Sequence, residues 1–139
     1  MDIISQKKLL REEFKAKRAS LTSSSVAEKS KKICDNFINN LFPQIYQKNL
    51  AQNFSLYLSS NNEVDTSAIR DFFIKNNINF SYPKITNLNC ELDFIDFKAD
   101  TKFTNSKFFK KVVEPENGEK ILPDILIIPL LAFDGDLQR

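Results

Sequence analysis

The sequence predicts an α/β fold of three layers, in which helices cover both faces of a largely parallel sheet. Residues 125–128 are continuously apolar and half β-branched, and Pro129 then ends the strand because it has no N–H to donate. Upstream, segments typical of a strand, a helix and a second strand follow one another, which favours a right-handed crossover. We therefore expect the 125–128 strand to be central, with the two amino-terminal helices packed on the sheet.

Length and composition indicate one domain over residues 1–139. The chain has 139 residues, of which 42% are apolar, and this is enough for a substantial core. Twenty basic residues against 18 acidic ones give a net charge of +2, too even for a nucleic-acid footprint across the whole surface. We therefore expect any basic site to be local and no nucleic-acid partner.

The cysteines and the amino terminus indicate a cytoplasmic protein. Cys34 and Cys90 lie far apart and lack metal-ligand spacing, which favours a reducing compartment over a disulfide framework or a zinc site. The first residues lack the basic and apolar regions of a signal peptide, and no apolar run approaches the roughly 20 residues of a membrane span. We expect no membrane association.

The absence of histidine and the low number of glycines exclude several kinds of functional site. The sequence contains no histidine, so a Ser-His-Asp triad, a Cys-His pair and a His-ligated metal are excluded within it. Its only glycines are Gly118 and Gly135, where an average composition of roughly 7% would give about ten. A glycine-rich phosphate loop cannot be built from so few.

Residues 5–18 predict a basic amphipathic helix with apolar residues at helical intervals. Lys7 and Arg11 stand four residues apart and Arg18 follows seven later, so the three project from nearly the same face. That face is suited to gripping a triphosphate. The alternative is a solvated cationic face, since charge runs on helices usually serve solubility.

The following elements are expected to be structural. Thr22 or Ser23 caps a second helix that Pro43 ends, and residues 53–58 alternate as a strand. A polar loop then leads to Thr66, which is positioned to cap a third helix ahead of a strand over residues 79–82.

Acidic residues follow the apolar strand at the carboxyl end of the sequence. In open parallel sheets ligands bind beyond the carboxyl ends of the strands, and Asp134, Asp136 and Arg139 lie just past residues 125–128. The alternative for Asp134-Gly135-Asp136 is a solvated turn, because Asp and Gly favour turns for backbone reasons.

Five landmarks, in order, give the chain a family resemblance. It resembles the 5-formyltetrahydrofolate cyclo-ligases, also called methenyltetrahydrofolate synthetases. The landmarks are Lys7 with Leu10-Arg11 and Arg18, Glu63-Val64-Asp65-Thr66, Tyr82-Pro83-Lys84, Glu114-Pro115, and Asp124-Ile125 through Ile127-Ile128-Pro129 to Ala132-Phe133-Asp134 with Arg139.

The sequence also departs from the family pattern. The family usually has a glycine where Leu130 stands and a small residue near Lys110 and Lys111. Its pattern continues past the arginine into a glycine-rich segment with a tyrosine pair and an aspartate, whereas this sequence stops at Arg139. We therefore expect a domain that lacks its carboxyl-terminal part, and little activity from these 139 residues.

The resemblance implies ATP-dependent ring closure of 5-formyltetrahydrofolate to 5,10-methenyltetrahydrofolate, with Mg²⁺ as cofactor and a monomeric protein. Phosphoryl transfer needs cations on the developing charge and no histidine base. The resemblance also implies site residues. The nucleotide-binding residues are Lys7, Arg11 and Arg139, of which Arg139 is also catalytic. Glu63 and Leu58 are the substrate contacts, and Asp134 is a metal ligand.

Two alternatives remain beside the cyclo-ligase. One is a folate- or nucleotide-binding remnant without catalysis. The other is an unrelated protein whose basic helix binds anionic partners.

Overall fold

The computed structural model describes residues 2–48 and 52–136. Its α-helices are α1 (Ile3–Ala19), α2 (Ser23–Asn36), α3 (Phe42–Gln47) and α4 (Ser67–Lys75), with a π-helical segment, Phe37–Leu41, between α2 and α3. Its strands are β1 (Asn53–Ser55), β2 (Asn79–Lys84), β3 (Asp93–Asp96), β4 (Phe103–Asn105), β5 (Val113–Pro115) and β6 (Ile125–Leu126). No helix in these two ranges has the length and apolar character needed to cross a membrane.

The main sheet has four strands in the order β3-β2-β1-β6. Strand β1 runs parallel to both β2 and β6, and Phe54 lies opposite Phe80 on one side and Ile125 on the other. Strand β3 is antiparallel to β2, and β4 and β5 form a separate antiparallel pair. Helix α4 connects β1 to its parallel neighbour β2, so the predicted α/β class and the β, α, β order are confirmed.

Strand β6 contradicts the prediction of a central strand over residues 125–128. It lies at the edge of the four-stranded sheet and pairs only with β1 among the described residues. Leu126 and Ile128 are each 49% exposed. Continuous apolar character predicts a buried strand, but it does not specify how many neighbours that strand has.

The register of β6 is set by Asp124, the residue just before the strand. One carboxylate oxygen of Asp124 accepts hydrogen bonds from the backbone N–H groups of Gln52 and Asn53, at 2.9 and 3.0 Å. The backbone N–H of Asp124 in turn donates to the carbonyl oxygen of Asn53 at 2.8 Å. These bonds fix the start of β6 against the start of β1.

Helix α2 begins as predicted and continues past its predicted end. The Thr22 hydroxyl accepts a hydrogen bond from the N–H of Ser25, which confirms the cap. Pro43 does not stop the helical rod, because the π-helical segment carries the chain into α3 and the N–H of Phe42 bonds to the Phe37 carbonyl, five residues back. Pro43 then lies in the first turn of α3, where its missing N–H costs nothing.

The core is aromatic and lies between the sheet and helices α2, α3 and α4. Phe73 is central, with its ring 4.9 Å from that of Phe54 and 5.8 Å from those of Phe42 and Phe80. Helix α2 contributes Cys34, whereas α1 contains no buried residue. The prediction that both amino-terminal helices pack on the sheet is therefore not met by α1, whose apolar residues cover no core.

Candidate functional site

A cavity of about 690 Å³ lies between helix α1 and the segment that follows β6. The helix contributes residues spaced along one stripe, and the segment contributes six consecutive residues. The lining residues are Lys7, Leu10, Arg11 and Phe14 from α1, and Pro129, Leu130, Leu131, Ala132, Phe133 and Asp134 from the other wall. Three residues that the sequence assigned to ligands, Lys7, Arg11 and Asp134, thus share one cavity.

The two cations of the helix wall face the cavity together. Lys7 and Arg11 are one turn apart, and both are exposed. In the described ranges neither forms an ion pair, whereas Lys15 and Lys17 each bind a glutamate of the same helix, at 3.0 and 2.6 Å. The charges of Lys7 and Arg11 are therefore accessible to an anionic ligand.

Apolar residues complete the cavity and were not singled out as site residues from the sequence. Leu10 and Phe14 continue the stripe of Lys7 and Arg11 at helical spacing, so they line the cavity and not the core. On the opposite wall Leu130 and Phe133 are 47% and 65% exposed. The available signal was their position just beyond a parallel strand, where ligands of such sheets bind.

Asp134 is both a turn residue and a cavity residue. Its Oδ1 accepts a hydrogen bond from the N–H of Asp136 at 2.9 Å, the local geometry that the solvated-turn alternative predicts. It nonetheless stands on the cavity wall opposite the cations. The two interpretations are compatible, because a residue that forms a turn can also line a cavity.

Glu63 and Arg18 pair with each other outside this cavity. Their closest charged atoms, Oε1 and Nη1, are 3.9 Å apart, and both side chains are largely shielded, with exposed fractions of 18% and 23%. Glu63 Oε2 also accepts a hydrogen bond from the N–H of Ser60 at 2.9 Å. Arg18 is thus engaged by Glu63 and does not line the cavity with Lys7 and Arg11, although it lies on the same side of the helix.

Of the two remaining predicted site residues, the structure describes only Leu58, which does not line the cavity. Leu58 is half-buried and packs against the aromatic core. Arg139, predicted to bind nucleotide and to act in catalysis, lies outside the described residues.

The loop that carries Glu63 is anchored to the end of helix α1. Asn61 and Asn62 adopt left-handed backbone conformations, with φ of 51° and 59°, and the N–H of Glu63 bonds back to the Ser60 carbonyl at 3.0 Å. The Asn62 amide donates to the carbonyl oxygens of Arg18 and Leu21, at 3.0 and 3.1 Å. The sequence analysis missed this contact, although consecutive asparagines are a signal for a left-handed turn.

Tyr57 binds the same loop through its hydroxyl group. Its hydroxyl donates to the carbonyl of Val64 at 2.8 Å. Burial, assisted by the charge of Glu63, raises the pKa of Tyr57 to about 12. The hydroxyl therefore stays protonated and keeps its role as a donor.

Thr66 does not cap helix α4 with its side chain, which corrects the prediction. Its hydroxyl donates instead to the carbonyl of Tyr57 at 2.9 Å, and Asp65 accepts the hydrogen bond from the N–H of Ser67. The N–H of Asp65 donates to the hydroxyl of Ser30 in α2 at 2.9 Å. The Thr66 hydroxyl thus joins the two ends of the loop between β1 and α4, and Asp65 accepts the local hydrogen bond at the start of α4.

The Tyr82-Pro83-Lys84 and Glu114-Pro115 landmarks meet in space. The ammonium of Lys84 donates to the carbonyls of Pro115 and Glu116, both at 2.7 Å. The buried carboxylate of Glu114 accepts a hydrogen bond from the N–H of Ile85 at 3.0 Å. These residues join β2 to β5 and lie outside the cavity, so their contacts are structural.

Known structures share this fold. The chain aligns with the 5,10-methenyltetrahydrofolate synthetase of Aquifex aeolicus with a TM-score of 0.75 and 23% identity, over 92% of this chain and 62% of that one. It aligns with the 5,10-methenyltetrahydrofolate synthetase of Mycoplasma pneumoniae with a TM-score of 0.66 and 23% identity, over 94% of this chain and 67% of that one. The chain thus spans about two thirds of the length of these proteins.

Sequence comparison gives the family. No curated protein matches the chain significantly. The model of the 5-formyltetrahydrofolate cyclo-ligase family, however, matches residues 3–139, almost the whole sequence. The chain belongs to the 5-formyltetrahydrofolate cyclo-ligase family.

Proposed function

We propose that the chain belongs to an ATP-dependent cyclo-ligase that converts 5-formyltetrahydrofolate to 5,10-methenyltetrahydrofolate. Family membership supports the reaction, and the cavity with its two accessible cations supports the nucleotide site. The single observation that carries the proposal is that Lys7 and Arg11 face Asp134 across one cavity.

The reaction joins a phosphoryl transfer to a ring closure. The formyl oxygen attacks the γ-phosphorus of ATP and ADP leaves, so that the formyl carbon becomes electrophilic. N10 of the folate then attacks that carbon, N10 loses its proton, and phosphate departs with the former formyl oxygen. The protein's task is to position the reactants and to stabilise the charge on the phosphoryl oxygens.

Lys7 and Arg11 are proposed to bind the phosphates. A guanidinium offers parallel donors that match two phosphoryl oxygens, while an ammonium acts as a compact charge. The apolar side chains of Leu10, Phe14 and Phe133 offer surface for the nucleotide base beside these charges. Arg139 is proposed as a further phosphate partner and as a catalytic residue, on the strength of the family resemblance alone.

Mg²⁺ fits this cavity as the companion of the nucleotide. Within residues 2–48 and 52–136 no cluster of three or more His, Cys, Asp or Glu side chains forms a metal cage. Mg²⁺ is commonly held by one or two carboxylates together with substrate phosphates, and Asp134 supplies one such carboxylate. Bound there, the ion would neutralise charge on the phosphates.

Glu63 and Leu58 are proposed as substrate contacts. A carboxylate accepts hydrogen bonds from the ring N–H groups of a pterin, and the pairing with Arg18 holds the Glu63 side chain in the loop after β1. Leu58 lies five residues earlier in the same connection from β1, and its half-buried side chain leaves some apolar surface exposed.

The setting proposed for this activity is the cytoplasm, with the protein acting as a monomer. Free thiols at Cys34 and Cys90 support a reducing compartment.

The reaction is tested by following the absorbance of methenyltetrahydrofolate when 5-formyltetrahydrofolate and MgATP are added to the protein. Turnover that disappears in Arg11→Ala and persists in Lys8→Ala would support the proposal, because Lys8 is exposed on the same helix and does not line the cavity. MgATP binding without turnover would favour the nucleotide-binding remnant. Neither binding nor turnover would contradict the assignment of the cavity.

A further inference from the structure

Helix α1 is joined to the described structure at its carboxyl end. None of its residues is buried, so the helix places no side chain in the core. Its last turn, by contrast, meets the Glu63 loop through Asn62 and through the ion pair of Arg18 with Glu63. Lys7, which lines the cavity, lies in the first half of the helix, 11 residues before Arg18.

Distance from this attachment amplifies small rotations. At 1.5 Å per residue Arg11 stands about 10 Å, and Lys7 about 16 Å, along the helix axis from Arg18. A tilt of about 10° at the attachment would move Lys7 by about 3 Å, which is a full hydrogen-bond length. The orientation of α1 therefore decides whether both cations reach the same ligand.

Hydrogen bonds hold the turn that makes the attachment on both sides. Asn61 and Asn62 are consecutive left-handed residues, and the Asn62 amide donates to the carbonyl of Arg18 in the last turn of α1 and to that of Leu21 just after the helix. Beyond the turn, the loop is bound to the core side through Tyr57 and Ser30. Backbone conformations of this kind are costly for residues other than glycine and persist where surrounding contacts require them.

We infer that Asn62 is a positioning residue, which sets the direction of helix α1 and so places Lys7 and Arg11 for phosphate binding. The inference rests on the proposed nucleotide site. Asn62 acts through the helix and makes no contact with the ligand. The ion pair of Arg18 and Glu63 is the weaker part of the joint, because its charged atoms are 3.9 Å apart, whereas the amide bonds are 3.0 and 3.1 Å long.

The variant Asn62→Gly tests this role with little backbone strain, because glycine tolerates the left-handed conformation and removes only the amide. Asn61→Gly is the matched control: it lies in the same turn, also at positive φ, and its exposed side chain forms no hydrogen bond to α1 in the described structure. Asn62→Asp, which keeps the shape but presents acceptors to two carbonyls, is a second variant should the glycine variant fold poorly.

The direction of α1 is measured first, as the distance distribution between spin labels on Lys8→Cys in α1 and Lys29→Cys in α2. Cys90 is replaced by Ser for this experiment, and Cys34 is buried. We expect Asn62→Gly to broaden or shift the distribution and Asn61→Gly to leave it unchanged. An unchanged distribution in Asn62→Gly would overturn the inference.

Affinity for MgATP is measured next by calorimetry, beside the unfolding temperature. We expect Asn62→Gly to weaken MgATP binding roughly fivefold to tenfold, with an unfolding temperature close to that of Asn61→Gly. A changed helix direction with unchanged affinity would overturn the inference while leaving the proposed site standing, provided that Arg11→Ala still weakens binding. If Arg11→Ala has no effect either, the proposed nucleotide site fails and the inference fails with it.

Discussion

The guanidinium of Arg18 lies 3.9 Å from the carboxylate of Glu63, and both side chains are mostly shielded from solvent. Sequence spacing placed Arg18 with the phosphate-facing cations, and the family resemblance placed Glu63 with the folate. In the structure they form one joint between helix α1 and the loop after β1. The charge of Glu63 is thus balanced before any ligand arrives.

The Glu63→Gln variant separates the two roles of this carboxylate, which are the ion pair with Arg18 and the proposed contact with folate. The amide oxygen still accepts the N–H of Ser60, so we expect the free energy of unfolding to change by less than about 1 kcal/mol, the usual range for a long, partly solvated ion pair. Affinity for 5-formyltetrahydrofolate should fall about tenfold if the carboxylate meets the pterin. Calorimetry with folate and chemical denaturation measure the two effects, and Arg18→Ala is the control that breaks the pair from the other side. Unchanged folate affinity would return Glu63 to a purely structural role.

The hydrogen bonds of Asp124 predict how the stability of the folded protein depends on pH. The N–H of Gln52, and then that of Asn53, lower the pKa of Asp124 in the folded state. A lowered pKa contributes stability above the unfolded value of about 3.9, and this contribution is lost as pH falls through the folded pKa. We expect Asp124→Asn to be less stable than the parent at pH 7 and the difference to shrink below pH 4.

Thermal unfolding between pH 7 and pH 3 checks this. Asp100→Asn, in an exposed loop, is the control and should follow the parent protein throughout. A difference between Asp124→Asn and the parent that stays constant with pH would show that the bonds to β1 do not depend on the carboxylate charge.

The two cysteines should differ in reactivity. Cys34 is fully buried and its thiol donates to the Asp65 carbonyl at 3.3 Å; burial, and next the charge of Asp65, raise its pKa. Cys90 is exposed. We expect a thiol reagent at pH 8 to modify one cysteine rapidly in the native protein and two after denaturation, with Cys90→Ser abolishing the rapid phase. Rapid modification of both in the native protein would mean that the packing of α2 against the loop opens readily.

Local patterns in the sequence predicted much of this architecture. The spacing of Lys7 and Arg11 is a property of any α-helix, so their shared face follows from the sequence alone. The β, α, β order was equally local. The edge position of β6 was not predictable, because an apolar run does not reveal its pairing partners. The predicted end of α2 at Pro43 was wrong, because a π-helical segment continues the helix into α3.

The anchoring of α1 by Asn62 joins residues more than 40 positions apart. No periodicity signals such a contact. The same holds for two other contacts. The Thr66 hydroxyl donates to the Tyr57 carbonyl and not to its own helix, and Arg18 pairs with Glu63. The sequence thus singled out three residues that line the cavity, Lys7, Arg11 and Asp134, while the contacts around them depended on the tertiary fold.

Calorimetric titration of MgATP into Arg11→Ala and Lys8→Ala tests the central claim most directly. Both substitutions remove one exposed cation from helix α1, but only Arg11 lines the cavity opposite Asp134. We predict that Arg11→Ala weakens MgATP binding about 10- to 100-fold, the loss of a charge-assisted contact, while Lys8→Ala binds like the parent protein. Equal affinities in all three proteins, or equal losses in both variants, would contradict the assignment of this cavity as the phosphate site.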